Sequence, residues 1–224
     1  MHTAIIIEPR CHRALSFVLN NILTNLSDDW NVVICHGTKN VDFVKKIIET
    51  DLKKYERRIS LQNVGVENLD IQGYNRIVVT KEFHDYIPTE MFLVFQTDSI
   101  IIPKYAFLLE AFMKYDYVGA PWAHENPMAG HIGNGGFSLR RKSKMLEIIN
   151  KIPYQEGIPE DVYFGMASVE MKRPTWEEAK LFSVEAEYSP VSFGCHAPYK
   201  YPTSFRFCAE NPEVQILHQL QFGN

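Results

Sequence analysis

Long apolar runs, an excess of basic residues, paired cysteines and internal repeats are all missing from this chain, and each absence excludes something. No stretch of about 18 apolar residues occurs, so no membrane-spanning helix is expected. Lys and Arg total 23 against 27 Asp and Glu, a net charge of −4. That excludes a generally basic nucleic-acid-binding surface and leaves room only for a local basic groove. Four cysteines are present, Cys11, Cys35, Cys195 and Cys208, and none forms a Cys-x-x-Cys pair. A structural zinc site is therefore not expected, and the thiols are read as reduced. Glu8 and Arg10 interrupt the first apolar stretch, so no signal peptide is expected and a cytoplasmic location is. There is no low-complexity tract and no linker rich in Gly, Ser or Pro.

What remains is an ordinary globular balance. The 224 residues are 46% apolar and 22% charged, enough for one domain with a sizeable core. Thr3–Glu8, Asn31–Cys35 and Met91–Gln96 read as buried strands, and Ile59–Leu61 as a weaker one. Leu15–Leu26 and Val41–Tyr55 carry apolar residues at helical spacing, and Asn75–Tyr86 is read as a third helix. Three strand–helix units before Met91 predict an α/β fold, with a mostly parallel central sheet flanked by helices. Further on, Tyr105–Tyr115 reads as a helix, Gly119–Gly136 as a long loop and Gly136–Arg140 as a strand. Lys142–Lys151 and a segment opened by Pro159-Glu160-Asp161 read as helices, Phe182–Val184 as a late strand and Phe193–Tyr201 as a loop.

Ligands of such sheets bind beyond the carboxyl ends of the strands. Attention therefore falls on Pro9-Arg10, His36-Gly37 and Thr97-Asp98-Ser99. Asp98 is placed to hold a hard cation against a diphosphate, or to cap a turn. Gly133-Asn134-Gly135-Gly136 precedes a strand and lets backbone approach a ligand, or is an ordinary turn. It is neither a dinucleotide fingerprint, since Ser138 occupies the third glycine position, nor a Walker A loop. Glu160-Asp161 can cap a helix or supply a general base. His196 is either a hydrogen-bonded structural residue or a metal ligand with a carboxylate. The aromatics clustered around these motifs read mostly as core; Trp122, in a loop, is the candidate sugar-stacking surface, and Trp122 and Tyr163 are the candidates to contact a sugar acceptor. Arg140, Arg141, Lys142 and Lys144 read as a solvated face or as a phosphate contact.

Taken in order, QTDS, YDYVGAPW, GNGGFSLRR, PEDVYF, FSVE and FGCHAPY resemble a glycosyltransferase of the GT-A type. More narrowly, the chain is similar to a family of glycosyltransferase-like domains over roughly Thr3 to Tyr201. The resemblance implies a hexosyl- or related transferase built as a single domain. Its nucleotide-binding half would span about 1–100 and its acceptor and catalytic half about 101–224. It puts Gln96-Thr97-Asp98 in the place of the D-x-D motif that holds Mn2+ or Mg2+ on a sugar-nucleotide diphosphate. Asp98 keeps the second acid and Gln96 departs from the first. His196 would complete the metal site, and Asn134, Gly135 and Gly136 would line the donor sugar. Tyr74-Asn75, Pro9, Arg10 and His36 would face the nucleotide. Asp161 would be the catalytic base, with Glu160 second, in an inverting transfer.

A UDP-sugar is the favoured donor, and a glycan or other hydroxyl the acceptor. Gln96 keeps a rival open, a pseudoenzyme that binds nucleotide or glycan without turnover. A nucleotidyltransferase would carry a Gly-rich segment after the first strand, where this chain has Pro9-Arg10-Cys11-His12.

Overall fold

A computed structural model describes residues 1–166 and 169–223. The first half alternates strands and helices: β1 (His2–Ile7), α1 (Leu15–Asn25), β2 (Trp30–His36), α2 (Val41–Thr50), β3 (Ile59–Asn63), α3 (Ile71–Val78), α4 (Lys81–Asp85) and β4 (Met91–Phe95). The second half is more broken: β5 (Ser99–Ile101), α5 (Leu109–Phe112), β6 (Tyr117–Val118), β7 (Pro121–Asn126), β8 (Gly130–Ile132), β9 (Phe137–Arg141) and α6 (Lys142–Lys151). It continues with α7 (Glu160–Gly165), α8 (Trp176–Phe182), β10 (Ser183–Val184), β11 (Gly194–His196), α9 (Phe205–Glu210) and α10 (Pro212–Phe222).

Six strands form the central sheet in the order β3-β2-β1-β4-β9-β6. β1 pairs parallel with β2 and β4, and β2 pairs parallel with β3. β9 runs antiparallel to both of its neighbours, β4 and β6, so it alone opposes the common direction. The fold is the expected mixed α/β sheet, mostly parallel and flanked by helices. Strands from both halves of the chain share it. A small sheet β10-β11-β5 and the hairpin β7-β8 sit beside it.

The near-continuous apolar run of β1 follows from burial on both faces. Ala4 and Ile6 join one core with Leu15, Leu19 and Ile22 of α1 and Val44 and Ile47 of α2. Ile5 and Ile7 join the other with Val78, Phe83, Met145, Ile148 and Phe164. Each fully buried aliphatic side chain contributes roughly 1.5–3 kcal/mol, so the two cores hold the sheet between helical layers.

Three expected elements differ. The helix expected over Asn75–Tyr86 is two helices, because Thr80 accepts a hydrogen bond from the Phe83 N–H and starts α4 afresh after the β-branched Ile77-Val78-Val79. Tyr105–Tyr115 is a 3-10 turn over Pro103–Leu108 followed by the single turn α5. The segments read as loops carry strands. β7 and β8 lie within Gly119–Gly136, and β11 lies within Phe193–Tyr201. Among the described residues no helix is long and apolar enough to cross a membrane.

Candidate active site

The carboxyl ends of β1 and β4 open into a cavity of about 500 Å3. From β1 come Glu8, Pro9 and Arg10. Glu8 is almost completely buried, and both its oxygens hold the Arg10 guanidinium at 2.8 Å. Asn40 pins the same turn by donating to the carbonyls of Glu8 and Arg10, at 2.9 Å each. Arg10 is thus a cation aimed by a buried carboxylate rather than a free surface side chain.

At the end of β4 the chain turns through Gln96-Thr97-Asp98. Ser99 Oγ accepts from the Gln96 N–H at 2.7 Å and donates to the Gln96 carbonyl at 2.9 Å, closing the turn that projects Asp98. β11 pairs antiparallel with β5, His196 opposite Ser99, which brings the imidazole to Asp98. His196 Nδ1–H donates to Glu185 Oε1 at 2.9 Å, and Nε2 lies 3.2 Å from Asp98 Oδ1. Nε2 is buried, and its approach to Asp98 falls off the hydrogen-bond line. Lys200 Nζ donates to the other oxygen of Asp98 at 2.9 Å. Burial by itself would raise the Asp98 pKa, but the charges of His196 and Lys200 outweigh it and hold the carboxylate well below its ordinary range. Burial would lower that of His196, yet Asp98 and Glu185 outweigh it and lift the imidazole to about 10.

The opposite wall is the Gly-rich loop and the start of α7. Because β9 runs against its neighbours, its amino end, and so Gly133–Gly136, lies at their carboxyl ends. Asn134 Nδ2 donates to Glu185 Oε2 at 2.8 Å, and its Oδ1 accepts from the Gly136 N–H at 3.1 Å. A Cβ on Gly136 would overlap the His196 ring, so only glycine lets that ring reach Asp98. Asp161 Oδ2 accepts from the Gly135 N–H at 3.3 Å, and its Oδ1 from the Val162 N–H at 2.8 Å. Burial first, and then the Glu160 charge, raise Asp161 to about 7. Asn75 is 4% exposed; its Oδ1 accepts from the Glu160 N–H at 3.3 Å, while its Nδ2 has no partner.

The cavity brings together Pro9, Arg10, Tyr74, Asn75, Gln96, Thr97, Asp98, Asn134, Gly135, Gly136, Glu160, Asp161 and His196. Three candidates lie elsewhere. His36 is buried under the β2 end, where Nδ1–H donates to the Gly37 carbonyl at 2.7 Å. Tyr163 points into the core and donates to the Ile152 carbonyl at 2.6 Å. Trp122 packs its ring beside Gly133 on the β7 strand. The basic run is not one solvated face: Arg140 is completely buried and Arg141 pairs with Asp116 at 2.8 Å. The sequence reading passed over Glu8, Glu185, Lys200 and Gln221, whose Nε2 donates to the Thr97 carbonyl at 2.7 Å. Glu8 and Glu185 had a signal, a carboxylate directly after a strand. Lys200 and Gln221 had none.

The model of the family described as "Protein of unknown function (DUF5672)" matches residues 58–196, more than half of the chain. The chain belongs to the DUF5672 family. The matched segment of this DUF5672 chain contains Asp98, Gly133–Gly136, Asp161 and His196, and begins after Glu8 and Arg10. No curated protein matches it in sequence. Similar solved structures include HddC from Yersinia pseudotuberculosis complexed with GMP-PN, 13% identical, TM-score 0.44, covering 74% of this chain and 98% of that one. The mannosyltransferase PcManGT from Pyrobaculum calidifontis, in complex with GDP-Man and Mn2+, is 12% identical with a TM-score of 0.49, covering 72% of this chain and 50% of that one. The glycosyltransferase GlyE in Streptococcus pneumoniae TIGR4 is 10% identical with a TM-score of 0.46, covering 72% and 41%.

Proposed function

We propose that the chain is a glycosyltransferase that moves a sugar from a nucleoside diphosphate sugar to an acceptor hydroxyl, with inversion. One observation carries the reading. A single cavity joins Asp98, set among cations, to Asp161, a carboxylate raised to about 7. The first suits a bound diphosphate and the second a general base working near neutral pH.

The residues fit a divalent cation. His196 Nε2 is a buried nitrogen without a hydrogen-bond partner, 3.2 Å from an oxygen of Asp98. Imidazole and carboxylate are a normal donor pair for Mn2+, and one carboxylate completed by phosphate oxygens is usual for Mg2+. Among the described residues no group of three or more His, Cys, Asp or Glu forms a metal cluster. Asp98 and His196 would therefore hold the ion together with the donor's own phosphates. When bound, the ion would neutralise charge developing on the departing diphosphate.

The chain's own groups supply the rest. Arg10, which lines the cavity, and Lys200, which pairs with Asp98, add positive charge beside that carboxylate. Asn134, Gly135 and Gly136 border the space between Asp98 and Asp161, where the donor sugar would lie. The acceptor oxygen attacks the anomeric carbon, the bond to the diphosphate oxygen breaks, and the electron pair leaves with the diphosphate. Asp161 takes the acceptor's proton. Base and leaving group on opposite sides of the sugar give inversion.

The test is incubation with UDP-, GDP- and dTDP-sugars, Mn2+ and a panel of sugar acceptors. The expected result is release of nucleoside diphosphate and a product of inverted anomeric configuration. Pyrophosphate release would replace this reading with a nucleotidyltransferase. Nucleotide binding without release in any combination would replace it with a pseudoenzyme.

A further inference from the structure

Directly behind Asp161 lies an ion pair buried in the protein interior. Arg140 has no exposed side-chain surface and Glu160 has 5%. The guanidinium grips both carboxylate oxygens, at 2.7 and 3.0 Å. Its other donors reach Ser138 Oγ at 2.8 Å and the Gly135 carbonyl at 3.2 Å. The rings of Tyr117 and Phe164 lie against its faces, with centroids at 5.1 and 5.4 Å. Gly135 is the meeting point. Its carbonyl accepts from Arg140, its N–H donates to Asp161, and a Cβ on it would overlap Glu160 Oε1.

Two well-packed apolar residues would fill this volume at least as stably, since a buried ion pair seldom repays its desolvation. A charged pair at this point therefore needs another reason. Both carboxylates line the cavity, but with both Glu160 oxygens taken by Arg140, Asp161 is the one of the two not held in an ion pair. We infer that Arg140 is a positioning residue that removes Glu160 from the chemistry and holds Asp161, through Gly135, as the single base. The inference rests on the transferase reading above.

The charged and titratable groups around Asp161 are Glu160 on its own helix, Arg140 on β9, Tyr117 on β6 and Tyr74 on α3. Glu160 raises Asp161 and Arg140 lowers it, the former more strongly. A pair electrostatically isolated from Asp161 would leave its titration in place when exchanged for neutral residues of similar size.

The experiment follows the 13C carboxyl signal of Asp161 against pH, assigned with Asp161→Asn, in wild type, Glu160→Gln, Arg140→Met and the double variant. Glu160→Gln should lower the Asp161 midpoint by about one pH unit, and Arg140→Met should raise it. The double variant should titrate below wild type by less than Glu160→Gln does. Midpoints that stay in place, or that move the same way in both single variants, overturn the inference. If a single variant fails to fold, the double variant, which leaves no unpaired charge, still decides: an unmoved midpoint overturns. The titration needs no donor or acceptor. Absent transfer with the expected midpoints sinks the transferase reading. Normal transfer with unmoved midpoints sinks the role of Arg140.

Discussion

Asp98 and Asp161 line the same cavity and both are largely buried, but the groups around them act in opposite senses. Asp98 faces His196 at 3.2 Å and Lys200 at 2.9 Å, and is held well below the ordinary carboxylate range. Asp161 has burial and the Glu160 carboxylate against it. The compensating Arg140 is turned to Glu160, and Asp161 rises to about 7. The same side chain is thus a fixed anion in one place and, in the transfer proposed above, the proton acceptor in the other. Identity does not set the role; the sign of the nearest charges, acting in a poorly solvated cleft, does.

The sharpest way to break the comparison is at the base. Asp161→Asn should reduce transfer by about 100- to 10,000-fold, the usual contribution of a general base. In the wild type, kcat/KM should rise with pH through about 7 as Asp161 loses its proton. The same variant should be more stable than wild type at pH 8. The folded carboxyl keeps its proton up to about 7, whereas its unfolded value is 3.8. Between those values the native state binds the extra proton, so stability falls as pH rises. Removing the charge should restore roughly 2–4 kcal/mol above pH 7. Thermal unfolding of both proteins at pH 5 and pH 8 checks the sign, and a variant equally less stable at both would refute it.

Asp98→Asn should act on binding. A nucleoside diphosphate with Mn2+ at about 100 times its dissociation constant should stabilise the wild type by about 2.7 kcal/mol, and the variant by almost nothing. A retained shift in the variant would separate Asp98 from the diphosphate.

Next come the adjacent glycines, each touching one side of the comparison. Gly136→Ala would drive a methyl into the His196 ring, and Gly135→Ala one into the Glu160 carboxylate. Each should cost about 1–3 kcal/mol in stability through overpacking. Their functional effects should cross. Gly136→Ala should weaken metal-linked nucleotide binding and leave the acid limb of the pH profile in place, while Gly135→Ala should shift that limb. The smallest effect is expected from Lys200→Met. Lys200 is half exposed, so loss of its pair with Asp98 should change stability by less than about 1 kcal/mol. Its effect should show instead as weaker nucleotide binding at low salt, measurable by calorimetry at two ionic strengths.

Much of this architecture is a local matter, and local matters are legible. Short, near-continuous apolar runs marked β1, β2 and β4, and apolar residues at helical spacing marked α1 and α2, because burial on both faces of a strand or one face of a helix imposes those patterns. The turn after β4 and the start of α7 were legible for the same reason: a carboxylate after an apolar strand, and Pro-Glu-Asp where a helix begins. Pattern by itself left Asn75–Tyr86 as one helix, since a cap such as Thr80 wins only when tertiary packing can use two shorter helices.

What the sequence by itself determined is the set of elements and the chemical inventory at their ends. Only the tertiary structure decided which ends meet. β9 runs against its neighbours, so a loop before a strand joins loops that follow strands. Antiparallel pairing of β5 with β11 sets His196 opposite Ser99, distant along the chain, and so beside Asp98. Arg140, which looks like the start of a basic surface, is drawn inside because Glu160 arrives from a helix 20 positions later to neutralise it. Strand direction, register and the pairing of buried charges are non-local quantities. They are fixed by which surfaces can be buried together, and no window along the chain contains them.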